Sequence, residues 1–499
     1  MFSNIKHTIK HTAIYSIGRV STKIIGFILL PLYTYHLTTY EYGILALLEV
    51  TRQFMLTVFS FNLHMAMIRW CASEKDEFKR KSTVFTTFFF SAVIGIILLF
   101  IFMPFSRNFS QLFFKNSEYA SYFYILFATI PLGIINKNIQ NLIRIKERSL
   151  YYVIITSIKL FVTLSLNIYF VAFLHLGIIG ILLSELIGYL LLVIITIPFI
   201  IKNVIFSINL SVFKGMFHYS FPLIFSSIAG MLLSMGDRYL IKYYLNYSDV
   251  GIYSVGYKIA NVIQVFLLNS FQMGFLPIAY KKFDKPDAKR FYSKILTYFV
   301  FLLTLSSLAL SLFSREIIVI FAQRITYHGA YRIIPLISLS IIFLGIKYNL
   351  SLGFHYTKKT KYNAYIISFG AVVNIITNIF FIPLWGIYGA ALATIISVIL
   401  IDIIFYFVSQ RYYYVPYEIG KIFKLIITGI GIFLVSLFFN NFSFYVRIVI
   451  KLLLTISFPF ILYVWNFYEP IELKRLQGAW KKWRNPKKWK DNFHKIKIN

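Results

Sequence analysis

The chain has 499 residues, of which 59% are hydrophobic and only 14% are charged. A soluble domain has about 25% charged residues and could not cover this much apolar surface, so composition excludes a soluble protein and predicts a membrane protein. The formal net charge of +32 raises the question of a nucleic-acid partner. Because the basic residues fall in short connections between apolar segments, we predict contact with membrane lipids and no nucleic acid.

Apolar segments recur from one end of the chain to the other. A helix needs about 20 apolar residues to cross a bilayer, and the chain has about fourteen segments of that kind. In chain order they cover residues 13–37, 43–65, 83–105, 119–143, 150–174, 177–201, 217–240, 250–277, 291–314, 333–356, 361–384, 386–409, 420–440 and 444–467. Strands of a membrane barrel are about 10 residues long and alternate in polarity, so these lengths predict an all-α polytopic fold.

The basic residues of the connections predict the orientation. With the spans placed in order, about 34 lysines and arginines fall on one side of the membrane and 6 on the other. Basic connections remain on the cytoplasmic side, so both termini are predicted to be cytoplasmic. The tail from residue 468 has tryptophans beside lysines, which suits either a segment on the cytoplasmic leaflet or a disordered basic tail.

An internal repeat relates the two halves of the chain. Two sets of residues match at nearly constant offset: Leu37, Glu41 and Gly43 with Leu245, Asp249 and Gly251 at 208, and Gly177 and Gly180 with Gly386 and Gly389 at 209. Each unit has six spans, an even number, so the halves share one orientation, as in transporters with parallel repeats. We predict two six-helix lobes around a central cavity, at 1–201 and 202–409, then two extra C-terminal helices at 410–467 and a basic tail at 468–499.

Cationic side chains interrupt the apolar segments. A charge at the centre of a bilayer costs at least about 2.5–3.5 kcal/mol, so such residues usually face a water-filled cavity or a partner. The candidates for lining a basic cavity are Arg19, Lys23, Arg52, Lys159, Arg238, Lys258 and Lys347. Because the intruding charges are mostly positive, they predict an anionic cargo.

Fewer acids interrupt the spans, and they leave two interpretations open. Glu49, Glu185 and Asp237 are candidates for coupling to a cation or for pairing with a base. Glu49 lies three residues before Arg52, so the two side chains either neutralise each other or act separately. Glu185 has no base one helical turn away, but pairing with Lys159 or another cation across the cavity is equally open. Asp237 and Arg238 lie near a span end and fit a boundary pair.

Signatures of enzymes are missing from the sequence. The Gly420-Lys421 pair lacks the upstream glycine of a phosphate-binding loop, since Val415 stands there, which argues against a nucleotide-driven pump. The nine histidines are scattered and predict no metal site. A glycan polymerase would need large external loops, and the longest one here has about 18 residues. We therefore predict neither catalysis nor a cofactor.

Two segments resemble a known family. These are YSIGRVSTKIIGFILLPLYTYHLTTYEYGILALL at 15–48 and NIITNIFFIPLWGIYGAALATIIS at 374–397. They are similar to bacterial polysaccharide-biosynthesis flippases of the Wzx type, within the multidrug/oligosaccharidyl-lipid/polysaccharide exporter superfamily. Arg19 matches a basic residue in the first helix of these flippases, and Arg52 resembles their second-helix arginine.

This resemblance implies a function. The family translocates polyprenyl-diphosphate-linked oligosaccharides, such as the undecaprenyl-linked repeat units of O-antigen in lipopolysaccharide biosynthesis, from the inner to the outer leaflet of the bacterial plasma membrane. Two lobes around a cationic cavity open alternately to either face, with possible partners among other polysaccharide-assembly membrane proteins. The alternatives are a multidrug exporter coupled to H⁺ or Na⁺, a flippase for a peptidoglycan precursor, and a glycan polymerase.

Overall fold

The computed structural model describes residues 26–357 and 359–474. Within these ranges the chain forms helices and no strands, as the segment lengths predicted. Thirteen helices in the described part are long and apolar enough to cross a membrane. They match the second to fourteenth predicted spans, whereas residues 13–25 of the first span lie outside the described ranges. The all-α polytopic prediction is confirmed.

The described part of the first half contains eight α-helices. They are α1 (Leu30–His36), α2 (Thr39–Phe59), α3 (Leu63–Ser73), α4 (Glu77–Phe102), α5 (Ser106–Phe114), α6 (Ala120–Ile145), α7 (Ser149–Ile168) and α8 (Gly177–Lys202). A short 3-10 turn, Ser117–Tyr119, precedes α6, and a π-helical turn, Tyr169–Phe173, extends α7.

The described part of the second half contains twelve α-helices, of which the last two follow the second set of predicted spans. The helices are α9 (Leu210–Met235), α10 (Asp237–Tyr244), α11 (Tyr247–Ile263), α12 (Asn269–Lys282), α13 (Ala288–Leu312), α14 (Ser314–Phe321), α15 (Ile333–Leu350), α16 (Leu352–Tyr356), α17 (Lys361–Trp385), α18 (Ile387–Tyr412), α19 (Ile419–Leu437) and α20 (Phe444–Val464). A π-helical turn, Gln264–Leu268, joins α11 to α12, and a 3-10 helix, Ile325–Arg332, precedes α15.

Equivalent caps begin the repeat-related helices α2 and α11. The Glu41 N–H donates to the Thr38 hydroxyl at 3.2 Å, and the Thr38 N–H donates back to the Glu41 carboxylate at 2.8 Å. In the second half the Asp249 N–H donates to the Asn246 side chain at 3.0 Å, and the Asn246 amide donates to the Asp249 carboxylate at 2.8 Å. Both arrangements satisfy backbone donors that a helix leaves free at its first turn. The matched Glu41 and Asp249 of the repeat therefore have a structural role.

The halves meet where these two helices cross, and glycine makes the approach possible. A Cβ atom on Gly43 would lie 1.8 Å from the Tyr247 carbonyl oxygen, and one on Gly251 would lie 2.1 Å from the Thr39 carbonyl oxygen. Thr39 and Tyr247 are themselves related by the repeat offset of 208. The contact is therefore reciprocal, as expected for two similar units packed about a shared axis.

The bundle has two unlike ends. We call the end with the lysine-rich connections around 74–81, 146–148 and 281–290 the basic end, and the other the opposite end. The largest apolar cluster joins both halves through residues such as Leu47 and Val255. Two smaller clusters, one around Ile139 and one around Tyr292, lie at the basic end and remain separate from each other. The cluster around Ile139 also includes Met216 of α9, so the halves meet at the basic end too, beside the cavity that lies between them.

Ion pairs at both ends of the bundle connect the C-terminal helices α19 and α20 to the second half. At the opposite end, Glu316 of α14 accepts from Arg447 Nε at 2.7 Å and from Lys451 Nζ at 2.8 Å. At the basic end, Lys294 of α13 pairs with Glu418 at 2.8 Å, and with Glu469. Neither α19 nor α20 contributes a residue to the lining of the basic cavity described below.

Replacing Glu316 by alanine is expected to destabilise the protein. Lys451 is 3% exposed, and removing its carboxylate partner would leave a buried ammonium unpaired, which typically costs about 3–5 kcal/mol. Thermal unfolding of the purified protein should show a lower Tm for Glu316→Ala. The matched control is Glu77→Ala, which removes an exposed carboxylate 3.7 Å from Lys81. An equal, small effect of both substitutions would contradict a stabilising role of the buried cluster.

This stabilisation is also expected to depend on pH. Burial alone would raise the pKa of Glu316, but the hydrogen bonds from Lys451 and Arg447 outweigh burial and lower the pKa below the ordinary 4.5. A lowered pKa in the folded state gives stability that is present above the unfolded value and is lost as the pH falls. The Tm difference between the native protein and Glu316→Ala should therefore shrink as the pH is lowered below about 4.5.

Candidate functional site: a basic cavity between the two halves

A cavity of about 680 Å³ lies between the two halves of the bundle. The first half contributes residues of α1, α2, α6, α7 and α8, and the second half contributes residues of α11, α12 and the turn between them. The lining includes Gln140 and Tyr152, which lie close to the basic ends of α6 and α7. The cavity therefore extends from the middle of the bundle toward the basic end.

The opposite end is closed over this cavity. Tyr327, in the 3-10 helix of the second half, donates its hydroxyl to the Leu37 and Thr38 carbonyls at 3.0 and 2.8 Å. Arg324 donates from Nε to the Tyr35 carbonyl at 2.9 Å. Together with the crossing at Gly43, these contacts join the halves at the opposite end, so the cavity has the geometry of a chamber that faces the basic end.

The charged residues of the cavity have a positive balance. Among its described lining residues, the cations are Arg52, Lys137, Lys159 and Lys258, and the acids are Glu49 and Glu185. Four cations and two acids leave a net charge of +2. Three of the four cations were predicted from the sequence, and both acids were candidates. The structure brings these five side chains, from four different helices, into one cavity.

Arg52 forms an ion pair with Glu185 of α8 across the cavity. The sequence left open whether Glu49 neutralises Arg52, and the geometry places Glu185 there instead. Glu49 forms no ion pair with any side chain in the ranges 26–357 and 359–474, and it is exposed toward the cavity. The pairing of Glu185 with a cation across the cavity was one of the two interpretations that the sequence left open.

Two lysines of the cavity lie against aromatic rings. Lys159 Nζ is 3.2 Å from the centroid of the Tyr189 ring, a favourable cation–π distance. Lys258 donates to the Tyr42 hydroxyl at 3.1 Å and lies 5.7 Å from the centroid of Tyr33. These tyrosines hold the long lysine side chains without neutralising their charge, so the ammonium groups remain available for an anion.

Lys137 is a cavity residue that the sequence interpretation missed. Its ammonium donates to the Leu56 carbonyl at 3.2 Å. The helix spacing contains a signal that would have found it: Gly133, Asn136, Lys137 and Gln140 all line the cavity at positions i, i+3, i+4 and i+7 of α6. This spacing defines one face of a helix, and a small or polar face inside an apolar span indicates a cavity.

The other predicted residues lie elsewhere. Arg238 is buried, pairs with Asp237 at 2.7 Å, and lies outside the lining of the basic cavity, so Asp237 and Arg238 form an internal pair and not an exposed boundary pair. Lys347 lines a separate cavity of about 410 Å³ in the second half. Arg19 and Lys23 fall outside the described residues, as does most of the predicted basic tail.

The donor groups of the cavity favour charge recognition. Among the residues that the structure describes, no group of three or more histidine, cysteine, aspartate or glutamate side chains could hold a metal ion. Arginine and lysine suit phosphate and other oxyanions, since the guanidinium offers paired donors and the ammonium a concentrated charge. The site is therefore suited to binding an anionic group within the membrane.

Sequence comparison identifies the family of the chain. A family described as polysaccharide biosynthesis protein matches residues 8–283, more than half of the chain. A second family, described as MatE, matches residues 222–380. No sequence among the curated proteins matches this chain.

Solved structures share the fold at low sequence identity. The lipid II flippase MurJ in an inward closed conformation is 18% identical, with a TM-score of 0.74 over 91% of this chain and 100% of MurJ. A multidrug resistance MATE family transporter of the MOP superfamily, in an inward-facing conformation, is 12% identical, with a TM-score of 0.66 over 82% of this chain and 98% of the transporter. A mutant of the Vibrio cholerae MATE transporter VcmN is 13% identical, with a TM-score of 0.60 over 81% of this chain and 96% of the transporter. The chain therefore belongs to the polysaccharide biosynthesis protein family and has the fold of the MOP-superfamily membrane transporters.

Proposed function

We propose that the protein is a flippase that moves a polyprenyl-diphosphate-linked oligosaccharide repeat unit from the cytoplasmic to the outer leaflet of a bacterial plasma membrane, for surface polysaccharide biosynthesis. The observation that supports this most is the basic cavity between the halves, with its net charge of +2 among described residues. The family match to polysaccharide biosynthesis proteins agrees with this substrate class.

The physical task of such a flippase is to replace the water around a diphosphate. An ionised group cannot enter hydrocarbon unpaired, because losing its hydration costs far more than thermal energy supplies. Arg52, Lys159 and Lys258 offer charged donors in place of that water. The polyprenyl tail remains in the lipid, in a gap between the lobes. Since the cavity faces the basic end, which the charge distribution makes cytoplasmic, the headgroup enters from the cytoplasmic leaflet.

A cation gradient is a candidate energy source for the movement. The chain has no nucleotide-binding loop, so alternation between the two faces requires a substrate gradient, the membrane potential or a coupled H⁺ or Na⁺. Glu185 is already paired with Arg52, whereas Glu49 is exposed in the cavity without an ion-pair partner among the described residues. Glu49 is therefore the better placed of the two carboxylates to exchange a cation.

The proposed orientation predicts which surfaces are labelled in whole cells. Cysteines introduced at Lys75 and Lys285, at the basic end, should resist a membrane-impermeant thiol reagent, whereas one at Asn441, at the opposite end, should react. The native Cys71 gives little background, since it is buried and burial raises the pKa of its thiol to about 11. Labelling of Lys75→Cys or Lys285→Cys from outside would overturn the orientation and the direction of transport.

A multidrug exporter is the second candidate, because the MatE family matches residues 222–380 and Glu49 offers an acid for a cationic drug. Binding separates the two functions. Purified protein should bind decaprenyl diphosphate more tightly than the cationic dye ethidium. Arg52→Ala should weaken the binding of the diphosphate and leave the binding of the dye unchanged. Tight dye binding that Glu49→Gln abolishes, without diphosphate binding, would favour the exporter. The substrate of a flippase for a peptidoglycan precursor would contain the same diphosphate group with a different sugar.

A further inference from the structure

The second cavity, of about 410 Å³, has a wall in common with the basic cavity. It lies within the second half and is lined by residues of α9, α11, α12, α15, α16, α17 and α18 and the turns next to them. Its volume falls in the range of about 300–1,000 Å³ that is usual for sites of small molecules. Gln272 of α12 lines both cavities, so a ligand group in one is next to a ligand group in the other.

Three buried polar groups that line the second cavity have no hydrogen-bond partner within the described ranges. Lys347 is 8% exposed, and its ammonium forms no hydrogen bond with a described residue and lies 4.7 Å from the centroid of the Tyr348 ring. Asn349 is 1% exposed, and its Oδ1 has no donor. Gln272 Nε2 is buried without an acceptor. Unpaired buried polar groups are costly, so the site suits a ligand that both donates and accepts hydrogen bonds.

Charge distinguishes this cavity from the basic one. Lys347 is the one lysine or arginine among its described lining residues, and no aspartate or glutamate lines it. These residues give the second cavity a charge of +1, against +2 in the basic cavity. Asp402 of α18 is buried outside this lining at 7% exposure and forms no ion pair with Lys347 within 4.0 Å. The second cavity therefore offers less to an anion than the basic cavity does, and it suits a ligand with hydroxyl or amide groups.

We infer that the second cavity binds the sugar next to the diphosphate, while the basic cavity binds the diphosphate itself; this assignment rests on the proposed function. Sugar hydroxyl and acetamido groups donate to an acceptor such as Asn349 Oδ1 and accept from donors such as Lys347 and Gln272. The Tyr348 ring offers an apolar face for the C–H groups of a sugar. Gln272 lies where the bond between sugar and phosphate would pass from one cavity to the other.

The experiment compares two probes with the same polyprenyl diphosphate, one ending in a free phosphate and the other in a phosphate linked to a sugar. Affinities of the full-length protein are measured for decaprenyl diphosphate and for decaprenyl-diphosphate N-acetylglucosamine. We expect the native protein to bind the sugar probe about 10-fold more tightly, as two or so added hydrogen bonds would give. Asn349→Leu should reduce this ratio to about 1–2 and change the affinity for decaprenyl diphosphate by less than about 2-fold. Arg52→Ala should weaken the binding of both probes and leave the ratio of the two affinities unchanged.

The outcomes separate a failure of the sugar site from a failure of the proposed function. Asn363→Ala, a milder change in the lining of the second cavity, should also lower the ratio, and it replaces Asn349→Leu if that variant does not fold. Equal affinity of the native protein for the two probes, or a ratio unchanged in Asn363→Ala, would overturn the sugar site and leave the diphosphate site intact. Failure of the native protein to bind either probe would overturn the proposed function and this inference together.

Discussion

Replacing Arg52 by alanine is expected to reduce transport of a lipid-linked glycan at least about 30-fold, with normal amounts of protein in the membrane. Truncating one partner of a buried charged contact costs about 2–5 kcal/mol, and 2 kcal/mol corresponds to about 30-fold. Arg52→Lys should retain part of the activity, because the charge persists but the paired donors of the guanidinium are lost. The measurement is glycan export in cells that depend on the variant, with protein levels determined in parallel.

The ion pair with Glu185 supplies the decisive control for this prediction. If Arg52 only balances Glu185, the double change Arg52→Ala with Glu185→Ala should restore export, because no unpaired charge remains. We expect no restoration, since the diphosphate still lacks its guanidinium. Arg107→Ala, which removes an exposed arginine at the opposite end, should leave export unchanged. Restoration in the double variant would contradict a substrate role for Arg52.

Replacing Gly43 or Gly251 by alanine is expected to destabilise the contact between the two halves. Each new Cβ would lie about 2 Å from a backbone carbonyl oxygen of the facing helix, at 1.8 Å for Gly43 and 2.1 Å for Gly251. Backbone atoms cannot rotate away as a side chain does, so the helices must separate. Overpacking costs about 1–3 kcal/mol, and we expect the upper end of that range. The measurement is the Tm of the purified protein.

The matched control for these glycines is Gly431→Ala in α19. A Cβ atom there meets no other atom within 4 Å, so the change should be neutral or slightly stabilising, because alanine is a better helix former than glycine. A Tm for Gly43→Ala and Gly251→Ala equal to that of Gly431→Ala would show that the halves do not need this close crossing.

Much of the fold could be predicted from the sequence. Segment length gave the helices, because the thickness of the bilayer sets how many apolar residues a span needs. The repeat identified Gly43 and Gly251 as equivalent, and the structure places them at the same reciprocal contact. The free-energy cost of placing a charge in the bilayer identified Arg52, Lys159 and Lys258 as candidates for lining a cavity. That cost depends on depth in the membrane, so it can be read without knowing the tertiary partners.

The partners of these charges could not be predicted, because spacing along one helix says little about which helix faces it. Arg52 has a carboxylate three residues away at Glu49 but pairs with Glu185, which is 133 positions further along the chain. Lys347 also interrupts a span, yet it lines a different cavity. The depth of a residue in its span can be read from the sequence, whereas the direction it faces depends on how the helices pack.

The most direct test of the account is transfer of the diphosphate-linked sugar across a bilayer. Decaprenyl-diphosphate N-acetylglucosamine, with a fluorophore attached to its sugar, is placed in both leaflets of vesicles that contain the purified protein. Dithionite is then added outside. Flipping by the native protein should expose all of the probe and quench its fluorescence completely. Vesicles with Arg52→Ala should lose only the fluorescence of the outer leaflet. Quenching confined to the outer leaflet with the native protein would contradict the account.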